Sequence, residues 1–274
     1  MKLSMMSYTM FRQVRSGRFD FKGMCALTRQ LGMEAVDVVT LSDNPAPEVR
    51  KMLDDHGLKA ACYTFFADLN FADTAGRMAG VDAIKAGIDI AHVVGAPVVM
   101  VPTPGKDGVP RDVTRKRYLR GLQEACVLAR QAGVILTVEN FPGALSPFVV
   151  SGDVLEAVRE VPGMKITFDS GNAFTGGEDA AVSFTRCAEH VVHCHFKDWS
   201  RVADGKGMQG LDGRWYASDL IGEGVLDHRS VLQAMKAAGY KGYINIEYEG
   251  DKYPAGEAIA KVVRYLNDII ASLA

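Results

Sequence analysis

Short runs of apolar and β-branched residues alternate along this chain with longer stretches in which apolar positions recur every three or four residues. The first pattern marks buried strands and the second amphipathic helices, so the alternation predicts repeated βα units. Strands are expected at Leu3 to Tyr8, Ala35 to Val39, Leu58 to Tyr63, Pro97 to Val101, Val134 to Val138, Lys165 to Phe168, Val191 to Phe196 and Tyr243 to Ile246. Helices are expected over residues 20 to 31, 46 to 55, 73 to 94, 111 to 132, 151 to 160, 178 to 189, 228 to 238 and 255 to 273. Glycine-containing breaks such as Val94-Gly95 and Ala132-Gly133 fall where helices should end, and Asp73, Ser151 and Asp227 are placed to cap helix starts. Such units, with strands apolar on both faces, predict an α/β fold: a (β/α)8 TIM barrel closing as a single domain over residues 1–274. The competing architecture, a doubly wound open sheet, calls for a glycine-rich dinucleotide or phosphate loop after an early strand, and neither G-x-G-x-x-G nor G-x-x-x-x-G-K-[ST] is read in the chain.

One stretch breaks the rhythm. Residues 197–226, between the seventh strand and its helix, are glycine-rich and lack periodicity. At ~30 residues this far exceeds the usual βα loop, and it is expected to fold over the barrel mouth as a lid or substrate wall.

Composition narrows the class. With 274 residues and 48% hydrophobic content the chain can bury a sizeable core. Lys and Arg number 31 against 33 Asp and Glu, a net charge of -2, which offers no field to draw nucleic acid or an anionic membrane. Five cysteines without a Cys-x-x-Cys pair argue against a disulfide framework or a zinc ribbon and suit a reducing compartment. No stretch resembles a signal peptide or a membrane span. The expectation is a soluble cytoplasmic protein acting on a small molecule, with no nucleic-acid or membrane partner and with homo-oligomerisation left open.

In a barrel the chemistry sits at the carboxyl ends of the strands. Strand five, VILTVEN, ends in Glu139; strand six, KITFDSGN, in Asp169; strand eight, YINIEYEG, in Glu247. Strand seven, VVHCHFKD, offers His193 or His195 on one face, with His195 nearer the end. Each has an ordinary role open to it: a cap for Glu139, an Asx-turn for Asp169, an ion pair with Lys252 for Glu247. A carboxylate ending a buried strand is nevertheless costly unless paired or metal-bound, and these residues end four consecutive strands. Three carboxylates and an imidazole would hold one divalent cation. The oxygen-rich set favours Mn²⁺, Mg²⁺ or Co²⁺ over Zn²⁺.

With VEN at Glu139, FDSGN at Asp169, HCHFKDW at His195, IGEGVLD around Glu223 and NIE at Glu247, the chain resembles the xylose-isomerase-like barrels known as sugar phosphate isomerases/epimerases. The resemblance implies that Glu139, Asp169, His195 and Glu247 ligate one metal. It also implies that Glu139 and Glu247 act as acid and base on opposite faces of the substrate. Lys197 and Arg201 are placed to move protons or grip substrate oxygens, and Phe66 and Trp199, with Phe65 and Trp215, to wall a sugar pocket. Two positions depart from the ketose 3-epimerase pattern: Asn172 stands where those enzymes carry a substrate-holding histidine, and Leu145 where they carry a second glutamate. The extra histidines of the endonuclease members are missing after strands three and four, and the basic run Arg111, Arg115, Lys116, Arg117, Arg120 reads as a solvated helix face. The expected function is a divalent-metal-dependent isomerase or epimerase of a small carbonyl sugar or polyol, working through an enediolate. The alternatives are a metal-dependent dehydratase (a lyase) of a keto-sugar or keto-inositol and a non-catalytic sugar-binding barrel. No phosphate cradle is evident, so the substrate is expected to be non-phosphorylated.

Overall fold

Residues 1–9, 11–39 and 44–273 are described by the structure, a computed structural model. Seven parallel strands run in sequence order: β1 (Lys2–Met6), β2 (Ala35–Val39), β3 (Lys59–Thr64), β4 (Val98–Met100), β5 (Ile135–Glu139), β6 (Lys165–Asp169) and β7 (Val191–Phe196). After a small separate sheet of β8 (Asp198–Val202), β9 (Met208–Gln209) and β10 (Trp215–Asp219), the last barrel strand, β11 (Tyr243–Ile246), joins β7 to β1 and closes the cylinder. Its register runs from Lys2 opposite Tyr243 to Met5 opposite Ile246. Closure removes every sheet edge.

Apart from β4, which is apolar and buried at all its positions, the strands do not bury apolar residues on both faces throughout. Alternation sends Val36, Val38, Ile166, Phe168, Cys194, Phe196, Ile244 and Ile246 into one hydrophobic cluster with the surrounding helices. The inward positions are largely polar and fully buried: Ser4, Asp37, Thr137, Thr167, His193, His195 and Asn245. Each must be satisfied by a neighbour inside the barrel. Thr137 and Thr167 hydroxyls pair at 2.8 Å, and Ser4 donates to Asn245 Oδ1 at 3.0 Å. Cys62, Val98 and Met100 form a small apolar plug beside this network.

The helices are α1 (Phe11–Arg15), α2 (Phe21–Gln30), α3 (Ala46–Asp55), α4 (Thr74–Val94), α5 (Arg111–Gln131), α6 (Ser151–Glu160), α7 (Ser170–Thr175), α8 (Ala180–Cys187), α9 (His228–Ala237) and α10 (Ala255–Ser272). The short α1 and α7 have too few residues to show a helical period, and the sequence reading misses both. Asp73 and Asp227 cap as expected, accepting from Gly76 N at 2.8 Å and Ser230 N at 3.1 Å. Ser151 does not. Its hydroxyl donates to Glu178 at 2.7 Å, while Asp153 accepts from the Val149 and Val150 amides at 3.0 and 3.1 Å. Gly95, at φ 79°, ends α4 in the left-handed conformation that a side chain would resist.

Two further readings change. The basic run on α5 is not simply solvated: Arg111 and Arg115 both pair with Asp153, Arg115 also with Glu156 at 2.9 Å, and Arg117 donates to Asn70 at 3.0 Å. Residues 197–226 are not irregular either, because β8, β9 and β10 form an antiparallel sheet with Tyr216 opposite both Arg201 and Met208. The sequence reading misses one motif: Gly205 to Gly210 does have the spacing G-x-G-x-x-G. It lies between β8 and β10 with no helix after it, so it lacks the context of a dinucleotide fingerprint. Among the described residues no helix is long and apolar enough to cross a membrane.

Gly80 of α4 packs against the carbonyl oxygen of Asp68, and a Cβ there would press on that backbone. Gly80→Ala should cost about 1–3 kcal/mol in urea unfolding, outweighing the gain in helix propensity. Gly152→Ala on α6, with nothing within 4 Å of the added carbon, should be neutral or stabilising by up to about 1 kcal/mol.

Candidate active site

Glu139 and Asp169 are the last residues of β5 and β6, His195 lies one from the end of β7, and Glu247 follows β11 directly. One ligand atom from each falls within 4.8 Å of the others, and all four residues are buried. Neighbouring register brings them together, with Asp169 and Asn245 each opposite His195. His195 Nδ1 lies 2.7 Å from Glu139 Oε1 and 3.5 Å from Glu247 Oε2. The structure resolves the choice left open by spacing: His195 joins the cluster, while His193 sits lower in the barrel, its Nε2 2.8 Å from Asp37 Oδ2.

Local chemistry holds the carboxylates in place. Asp169 caps α7, with Oδ1 accepting from Asn172 N at 2.6 Å. Asn140, beside Glu139, makes two bonds to the Asp169 backbone, at 2.7 and 2.8 Å, and so ties the ends of β5 and β6 together. Asp169 Oδ2 and Glu247 Oε2 are buried with no hydrogen-bond partner. A carboxylate oxygen left bare in this way is expensive unless a cation takes it. The donor set therefore fits a divalent metal, with Glu139, Asp169, His195 and Glu247 as its holders.

The electrostatics agree. Burial raises the Asp169 pKa; Lys197 opposes the rise and the Glu139 and Glu247 carboxylates add to it. For His195 burial disfavours the charged ring, but hydrogen bonds to Asp37 and Glu139 outweigh it and lift its pKa well above the ordinary value. Lys197 is likewise opposed by burial and kept charged by Glu247, Asp169, Glu249 and Glu139. Its Nζ is 2.8 Å from Glu247 Oε1, 3.6 Å from Asp169 Oδ2 and 3.7 Å from Glu249 Oε1. The glycine of FDSGN makes this approach possible, since a Cβ on Gly171 would lie 2.5 Å from Lys197 Cγ and 2.7 Å from Trp199 Nε1.

Above the cluster opens a cavity of about 490 Å³ lined by Glu139, Lys197, Glu247 and Glu249 and walled by Tyr8, Phe66, Phe141, Trp199 and Met208. The β8–β10 sheet adds Tyr216, Ala217 and Ser218 to the lining. Asp198 anchors the end of this excursion, accepting from the amides of Gly222, Gly224 and Leu226 at 3.0, 3.2 and 3.1 Å.

The expected substrate groups divide. Lys197, Trp199 and the 66%-exposed Phe66 line the cavity. Asn172 is buried beside Asp169 with both side-chain polar atoms unpartnered, and it is not among the lining residues. Arg201 lies elsewhere. Two residues beyond Trp199, a strand has advanced ~7 Å, and the guanidinium sits 5.9 Å from the Phe174 ring in a separate depression with Asp212 and Arg214. Phe65 stacks on Tyr63 in the core, and Trp215 and Leu145 also lie outside the cavity lining. Sequence reasoning missed Asp37, Asn140 and Glu249. Each left a signal: a lone carboxylate in AVDVV, the amide in VEN, and a second glutamate two positions after Glu247.

Comparison with known proteins adds an independent finding. Residues 25–269 match the family model described as xylose isomerase-like TIM barrel. Inosose dehydratase of Lacticaseibacillus casei is 25% identical over 201 residues, which span 65% of this chain and 67% of that enzyme. L-ribulose-5-phosphate 3-epimerase UlaE of Escherichia coli O157:H7 is 26% identical over 194 residues, 69% of this chain and 63% of that one. The matches thus span about two thirds of these relatives' length. Among known structures, the IOLI protein with a binding zinc atom superposes with a TM-score of 0.81 at 18% identity, covering 100% of this chain and 99% of that one.

Because Asp169 Oδ2 is buried without a hydrogen-bond partner beside two other carboxylates, Asp169→Asn should stabilise the chelator-treated protein by roughly 0.5–2 kcal/mol. It should also remove the gain in melting temperature that Mn²⁺ or Zn²⁺ gives the wild type. Thermal unfolding with and without EDTA reads both effects.

Proposed function

Since this chain belongs to the xylose isomerase-like TIM-barrel family, we propose that it is a divalent-metal-dependent isomerase or epimerase of a small carbonyl sugar or polyol. The observation that carries this reading is the convergence of Glu139, Asp169, His195 and Glu247, with two carboxylate oxygens lacking hydrogen-bond partners, in a buried cluster whose Glu139 and Glu247 line one cavity. A divalent cation held there would supply Lewis-acid stabilisation to the enediolate formed when a proton leaves the carbon beside a substrate carbonyl. The oxygen-rich ligand set favours Mn²⁺, Mg²⁺ or Co²⁺, and the zinc of the IOLI neighbour adds Zn²⁺ to the candidates.

The chain's own groups account for the rest. Glu139 and Glu247 both face the cavity, one to take the proton and the other to return it from the opposite side. Lys197, bonded to Glu247 Oε1 and held charged, orients that carboxylate and offers an N–H to a substrate oxygen. Trp199, Tyr8 and Phe66 line the cavity with aromatic rings suited to the apolar side of a sugar or cyclitol. Among the described lining residues the cations are Arg12 and Lys197, and Lys197 already faces three carboxylates, which favours a non-phosphorylated substrate.

A second reading rests on the same first step. The Lys197 ammonium, within 3.7 Å of three carboxylates, can protonate a departing β-hydroxyl, which then leaves as water; the inosose dehydratases among the relatives favour that outcome. Arg201, outside the cavity lining, enters neither scheme.

Solvent deuterium should enter candidate ketoses and keto-inositols in the presence of enzyme and Mn²⁺ or Co²⁺. Exchange should vanish on chelation, and Glu139→Gln and Glu247→Gln should each lower the rate about 10²–10⁴-fold. Retention of mass with inverted or shifted hydroxyls supports isomerisation, whereas loss of water with new enone absorbance selects the lyase. Exchange by protein shown to hold no metal refutes the mechanism, and binding without exchange identifies a sugar-binding barrel.

A further inference from the structure

Asp37 lies at the centre of β2, fully buried on the inward face, in the layer below the candidate metal ligands. Four donors converge on it. His193 Nε2, His195 Nε2 and Asn245 Nδ2 lie 2.8, 3.0 and 3.3 Å from Oδ2, and the Thr64 hydroxyl donates to Oδ1 at 3.2 Å. The network has one consistent polarity. Ser4 donates to Asn245 Oδ1, which turns the amide nitrogen toward Asp37. A carboxylate accepts only, so His195 must carry a proton on Nε2, and by the same rule one on Nδ1, 2.7 Å from Glu139 Oε1, while no cation is bound. A cation at the cluster would take the place of the Nδ1 proton, the one facing Glu139 and Glu247, and leave Nε2–H on Asp37.

Space filling does not account for an acid here. Threonines bond to each other elsewhere in the barrel interior with no charge at all, whereas Asp37 buries a full charge where such a group is costly unless its oxygens are engaged. Through the His195 ring it connects to the cluster at the strand ends. Cys62 and His193 also group with Asp37 as conceivable metal ligands. The hydrogen bonds argue otherwise, since both Asp37 oxygens are already engaged by N–H and O–H donors. Burial also holds the Cys62 thiol well away from thiolate.

We propose that Asp37 is the positioning residue of the metal centre: its carboxylate locks His195 in the Nε2–H tautomer, aims Nδ1 at the cation and adds a negative charge behind the ligand. The role rests on the metal reading proposed above. Thr64, His193 and Asn245 in turn hold Asp37, so the hydrogen-bonded interior of the barrel acts as the support of its ligand set.

The test is cation affinity, measured without substrate by titration calorimetry or chelator competition. Asp37→Asn, nearly the same size, should weaken Mn²⁺ and Zn²⁺ binding about 10–100-fold. Long-range ¹H–¹⁵N spectra of the Zn²⁺-loaded wild type should show His195 protonated on Nε2 alone, and the variant should lose that single tautomer. A merely structural role would lower melting temperature while leaving both readouts in place. Folded Asp37→Asn that binds cations within twofold of wild type overturns the proposal. Should that variant not fold, Thr64→Val keeps the carboxylate and removes one donor; a loss of about twofold to tenfold in affinity supports the role, and unchanged affinity refutes it. Wild type that takes up no cation defeats the metal reading itself, a result distinct from wild type that binds with an indifferent Asp37→Asn.

Discussion

Asp37, Glu139, Asp169 and Glu247 place four carboxylates within a few ångströms of one histidine, in a space that water scarcely reaches. Lys197 offsets part of this charge, and hydrogen bonds to backbone and side chains offset more, yet two oxygens stay bare. Such an arrangement opposes folding unless a cation completes it. Much of the surrounding architecture can be understood as holding these acids in place: the Asn140 clamp between strand ends, the α7 cap on Asp169 and the polar barrel interior.

The division of labour between strand faces makes this affordable. Aliphatic and aromatic residues on the outward face pack against the helices and drive closure, so the inward face is free to be polar. Closure also fixes register, and register sets the neighbours: a one-residue slip of β7 would turn His195 outward and Cys194 inward. The small β8–β10 sheet then contributes Trp199, Met208 and Tyr216 to the cavity wall, with Asp198 holding the return of the chain.

Proton abstraction beside a carbonyl is the step that the proposed isomerase and the proposed lyase have in common, and the two outcomes diverge only in what receives the second proton. Glu247 and Lys197, 2.8 Å apart, supply both options in one place. Two curated relatives, a dehydratase and an epimerase, carry names from those two reaction classes. The positions that separate this chain from ketose 3-epimerases fit this picture, since neither Asn172 nor Leu145 reaches the cavity lining.

Periodicity by itself determined the order of the eight barrel strands and the longer helices and the closed barrel, because apolar spacing reports directly on which backbone geometry can bury a face. The ends of the apolar runs likewise exposed Glu139, Asp169 and Glu247, since a charge terminating a buried strand is anomalous wherever the strand lies. Only the tertiary structure could choose His195 over His193, separated by one strand repeat, or carry Arg201 away from the mouth along β8. Only closure joined Asp37 to His195, 158 residues apart. The physical reason is that burial acts along the chain and leaves a local trace, whereas hydrogen-bond partnership depends on distances across the barrel that are set when the last strand meets the first.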